Sequence, residues 1–253
     1  MTLTDTAFDP LAIGVIFIAL ALGGTIKGAT GAGAPVVAIP VMAAFYDPRL
    51  AVAIMAMPNL ITNTVQLYRT RKFQLDRAFG WKFGFAGIVG VFFGTAILAT
   101  APTELLSNLI ALIILVYIAL RLARPDFGLT DALARKLVWA VGGFAGVLQG
   151  ALGISAPVSI GFLNAMRISR EAFIATIATF FGMMAFAQIP IMMAFDLLTW
   201  PLLALGTLAV LPLMAFMPLG NWLAKKLSAA AFDRLILLLL SALAIRLLAS
   251  GLS

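Results

Sequence analysis

The chain has 253 residues, of which 63% are hydrophobic and only 11% charged. A soluble protein of this size carries roughly a quarter charged residues, so the composition excludes an ordinary soluble domain and predicts an all-α polytopic membrane protein. The net charge of +7 is assigned to membrane sidedness rather than to nucleic acid, because no basic segment adjoins a soluble domain. With no cysteine and no histidine, disulfides, thiol chemistry, haem and a Ser-His-Asp triad are excluded. No cofactor is expected.

Ten apolar segments follow in chain order: 11–27, 33–45, 50–68, 79–100, 104–121, 137–152, 154–166, 172–195, 197–223 and 232–249. The N-terminal MTLTDTAFDP lacks the basic region of a cleaved signal, so the first segment is expected to stay as a span. Segments two and seven are too short to cross as straight helix, which needs about 20 residues. They are expected to be tilted, broken or continuous with a neighbour. If all ten cross and the N-terminus is outside, the inner links carry 14 of the 17 basic residues. These include Arg69, Arg121, Arg124, Arg170, Lys225 and Arg234; the exceptions are Lys27, Arg49 and Arg246. Making segments two and seven re-entrant splits the basic loops between both sides. Ten crossings with both termini outside satisfy the positive-inside rule better.

The halves echo one another. Residues 28–36 read GATGAGAPV and residues 150–158 read GALGISAPV. At an offset of 122, Gly24, Gly28, Gly31, Pro35 and Gln66 meet Gly146, Gly150, Gly153, Pro157 and Gln188. Five segments per half is an odd number, so the halves would enter the membrane from opposite sides as a 5+5 inverted repeat. The expected units are a first repeat over 1–122, an inner linker over 123–136 and a second repeat over 137–253.

The run G-x-x-K-G-A-x-G-x-G-x-P from Gly24 to Pro35 comes first, followed by Asp47-Pro48, the Asn59/Asn63 face and the second-half echo. Together they resemble the sulfite exporter TauE/SafE family, also called the 4-toluene sulfonate uptake permease family. The resemblance covers nearly the whole chain, but glycine and proline patterns identify fold and family better than substrate. It implies transport of sulfur-containing anions (sulfite, sulfoacetate or aryl sulfonates) across the bacterial cytoplasmic membrane, in either direction.

Irregular backbone at membrane depth leaves polar groups that protein, water or ligand must satisfy. A helix starting after such a break presents free N–H groups and the positive end of its dipole. Two such starts facing one another would make a backbone anion site. Gly28, Gly31, Gly33, Gly150 and Gly153 are candidate elements of it, although small residues also serve helix contacts. Thr30 and Ser155 add hydroxyls beside the breaks, and Gln149 is the counterpart of Lys27. Lys27 has two open roles, attraction of an anion or snorkelling to the surface. Asn59, Asn63 and Gln66 lie at i, i+4 and i+7 on one helical face, with Gln188 as the second-half counterpart. Their amides suit either an oxyanion or a neighbouring helix.

No acid lies centrally in a span: Asp5, Asp9, Asp47, Glu104 and Asp196 fall near the outer face, Asp76, Asp126, Asp131, Glu171 and Asp233 near the inner one. A carboxylate proton carrier is therefore not seen, and an enzyme has no obvious catalytic groups. The expected function is secondary transport of a small anion, with an anion channel on the same scaffold as the alternative. A small anionic substrate and membrane lipid are the expected partners; the oligomeric state is left open.

Overall fold

The computed structural model describes residue 5 and residues 9–123, 128–226 and 229–250. Arg124 and Asp126 of the linker, and the chain ends, lie outside the described residues. The described chain is helical with no strand. In order the helices are α1 (Pro10–Thr30), α2 (Ala34–Ala43), α3 (Pro48–Thr70), α4 (Arg77–Thr100), α5 (Thr103–Ala123), α6 (Asp131–Leu152), α7 (Ala156–Ala165), α8 (Arg170–Ala194), α9 (Trp200–Leu208), α10 (Val210–Lys226) and α11 (Ala229–Ser250).

Each apolar run coincides with helix, and the ninth run divides into α9 and α10 at Ala209. Among the described residues, six helical stretches are long and apolar enough to cross a membrane. They are Pro10–Thr30, Pro48–Phe73, Ala78–Thr100, Thr103–Ala123, Arg170–Ala194 and Trp200–Lys226. Helix α6 is as long, but its first turns carry Asp131, Arg135 and Lys136. The ten-residue helices α2 and α7 are about 15 Å long at 1.5 Å per residue, half the ~30 Å hydrocarbon layer.

Helix starts follow local chemistry. Asp9, Asp47, Asp76, Thr130, Ser169 and Thr199 each accept a backbone N–H from the first turn they precede. Asp47 and Ser169 occupy equivalent places at the offset of 122. Ion pairs fasten both ends of the bundle. Arg49 bonds Asp47 at 3.1 Å and the Leu98 carbonyl at 3.0 Å, and also reaches the Ala101 carbonyl, which ties the start of α3 to the α4–α5 turn. At the other end Arg135 bonds Asp76 at 2.6 Å. That bond and the Ala78 N–H hold the Asp76 carboxyl below the usual carboxylate range.

The helix pairings mirror one another. Helix α4 packs along α6, and α10 packs along α1; α3 lies on α8, and α5 on α11. Both close seams rest on glycine. A methyl group at Gly24 or Gly28 would strike the carbonyls of Leu213 or Met217, and one at Gly146 or Gly150 those of Gly87 or Val91. Thus the glycines match at the offset of 122, and their partners match at 126. Such small-residue seams let backbones approach where dispersion, not water exclusion, drives association. Gly146→Val should therefore separate α4 from α6. A cost of about 1–3 kcal/mol or more is expected for forcing volume into a packed seam, read as a lower unfolding midpoint in detergent.

Candidate functional site

The backbone breaks lie between α1 and α2 and between α6 and α7. At the first, Gly31 takes φ +82 and its N–H donates to the Lys27 carbonyl at 2.8 Å. At the second, Gly153 takes φ +67 and its N–H donates to the Gln149 carbonyl at 2.9 Å. This left-handed ending satisfies a terminal carbonyl and suits glycine. Gly33, at φ +90, then leads into α2, as Ser155 leads into α7. Neither short helix has a side-chain cap, and Pro35 and Pro157 occupy their first turns without missing an N–H.

The two breaks meet. Gly33, Pro35 and Val36 of the first, and Gly153, Ile154, Ser155 and Ala156 of the second, line one cavity of about 10 Å³. Asn59 of α3, Gln149 of α6 and Phe181 of α8 complete it. This is about the space of one water. Ser155 Oγ donates to Gln149 Oε1 at 3.1 Å, leaving the amide nitrogen as that side chain's donor. Both residues are buried, as is Asn59.

Lys27 is 2% exposed, so it does not snorkel. Its ammonium donates to Asn63 Oδ1 at 2.8 Å, and Asn63 Nδ2 donates to the Asn59 carbonyl at 2.8 Å. A hydrogen-bonded line therefore runs from Lys27 to the residue that lines the cavity. Among the described residues, no carboxylate forms an ion pair with Lys27.

Other candidates have different surroundings. Gln66 Nε2 donates to the Gly31 carbonyl at 2.6 Å, while its Oε1 is buried without a partner. Gln188 Nε2 approaches the carbonyls of Gln149 and Gly150 at 3.4 and 3.5 Å. The matched glutamines thus sit at matching places, Gln66 on the carbonyl just past α1 and Gln188 beside the last carbonyls of α6. Gly28 and Gly150 stand in the interhelical seams, one turn before the breaks. Thr30 faces a larger cavity.

That cavity, of about 430 Å³, shares Gly33 and Val36 with the small one. Arg121, Asn164 and Arg170 stand on its wall with Thr30. Arg121 and Arg170 were significant in the sequence only as markers of sidedness. Phe181 was not singled out, yet the offset of 122 carries Asn59 onto it, and both line the same cavity.

The six long apolar helices are those of a multi-pass membrane protein. The chain belongs to the Sulfite exporter TauE/SafE family, whose family model matches residues 16–247. The membership read from the Gly24–Pro35 run and its echo thus holds. Comparison with curated proteins and with solved structures gives no match.

Proposed function

We propose that the chain is a secondary carrier of small sulfur-containing anions, such as sulfite, sulfoacetate or another organosulfonate, in the bacterial cytoplasmic membrane. Two inverted five-segment repeats, 1–122 and 137–253, cross ten times and are joined by the linker 123–136, with both termini outside. The mirrored pairings and the glycine seams matched at offsets of 122 and 126 support that reading.

The observation that supports the carrier reading is the contrast between two adjoining cavities. The larger cavity, with Arg121 and Arg170 on its wall, ends at Gly33, where the backbone breaks have closed to the space of about one water. A channel requires a continuous path instead. In the proposed cycle the arginines draw the anion from the inner face. The anion then reaches the breaks, where backbone N–H groups of α2 and α7, Asn59 and Gln149 donate to its oxygens. The Lys27 charge is felt there through Asn63, in a medium that screens little. Rocking of one repeat against the other then opens the outer side.

The absence of native cysteine provides a direct test. Thr30→Cys should react with a membrane-impermeant thiol reagent in inside-out vesicles and be protected in right-side-out ones. Equal reactivity from both sides without substrate would favour the channel. Tags on the 72–77 loop should be cytoplasmic and a tag after Ser253 external; a cytoplasmic C-terminus would overturn the ten-crossing count.

A further inference from the structure

A second large cavity, about 560 Å³, shares no lining residue with the breaks or with the cavity leading to them. It lies where the end of α3 and the turn after it meet the start of α4 and the side of α8. We propose that this cleft holds an anionic phospholipid of the leaflet on the basic, inner side, with its headgroup at Arg71 and Lys72.

Four observations favour a lipid over a free anion. The lining is divided: Arg71, Lys72 and Gln74 are gathered where α3 ends, while Leu67, Leu75 and Met183 are apolar. The volume is suited to a headgroup with the first part of its chains, far more than a three-oxygen anion needs. The rim carries the aromatics of a membrane interface. Trp81 and Tyr68 are 54% and 68% exposed, and Trp81 stacks on Phe85 at 5.6 Å. Gly80, beside Trp81, has open space where a side chain would lie, so the wall is low at that point.

The polar end is built as well. Arg71 sits over the Tyr68 ring at 4.1 Å, and Gln74 Nε2 donates to Thr179 Oγ1 at 3.1 Å, bridging the turn to α8. Two cations, Arg71 and Lys72, on the lining of a groove that also carries Leu67, Leu75 and Met183 match the charge and shape of an anionic lipid. Each basic group near the surface is expected to contribute about fivefold, so the pair should give about 25-fold preference over a zwitterionic lipid.

Trp81 is the reporter. With Trp139, Trp200 and Trp222 replaced by phenylalanine, its fluorescence is followed in vesicles containing brominated phosphatidylglycerol or brominated phosphatidylcholine. Phosphatidylglycerol should quench Trp81 at a far lower mole fraction, and Arg71→Gln with Lys72→Gln should remove the difference. Equal quenching by both lipids in the chain with Arg71 and Lys72 intact overturns the proposal, whatever the double variant does. So does loss of the phosphatidylglycerol effect on adding millimolar sulfite, which would make the cleft a small-anion site. Neither readout involves transport.

Discussion

Gly153→Leu is expected to reduce anion flux to background while the chain still inserts in the membrane. Gly153 sits at φ +67, where a side chain costs about 1–2 kcal/mol through its clash with the following carbonyl. The first atom of the new side chain would press on the far end of Ile39, which can give by a rotamer change, and touch Val52 more lightly. The rest would occupy a cavity that already has room for only about one water. The expected damage therefore falls on the site more than on the fold. Gly31→Leu, at the matching place, should act alike. Gly161→Leu is the control: it is a helical glycine with nothing within 4 Å of the added carbon, so it should keep its flux. Uptake in proteoliposomes and monodispersity in detergent separate the two effects. Normal flux in Gly153→Leu would count against a site lined by the backbone breaks.

Lys27→Met should weaken anion binding by at least about tenfold, with stability unchanged or raised. Methionine keeps most of the apolar stem and removes the charge. A cation buried at this depth costs about 2.5–3.5 kcal/mol on insertion scales, and the only acceptor described for it is an uncharged amide, Asn63 Oδ1. A purely structural lysine would be lost with little change in affinity, because Asn63 also donates to the Asn59 carbonyl without it. Thermal-shift titration with sulfite reads both quantities at once. Unchanged affinity with lowered stability would make Lys27 a packing residue. Lys27→Arg should not restore binding fully, since the longer planar group does not fit the space of an ammonium bonded to Asn63.

The helices were legible because their cues are local. Apolar runs give the segments, and the echo of GATGAGAPV in GALGISAPV locates both breaks. The break between α9 and α10 at Ala209 has a local cue as well, since Pro212 cannot bond the carbonyl of Leu208. What one helix presents to another was legible only in part. Gly28 and Gly31 are three residues apart in one motif, yet one meets the Met217 carbonyl and the other turns the chain. The sequence carries no sign of this difference, because it depends on the placement of α10. The Asn59/Asn63/Gln66 face was correctly read as one face, but it is divided in use. Asn59 lines the cavity, Asn63 takes the Lys27 bond, and Gln66 serves the Gly31 carbonyl. Phe181 escaped notice because an aromatic in an apolar helix has no polar signal, although its pairing with Asn59 across the repeat was available.

Counterflow in proteoliposomes tests the central claim most directly. Vesicles loaded with unlabelled sulfite or a sulfonate, and diluted into a trace of the labelled anion, should accumulate label transiently. The initial rate should saturate with anion concentration, as required of a closed site reached from one side at a time. Linear, non-saturating flux with no transient accumulation for any anion tried would contradict alternating access and leave a channel in its place.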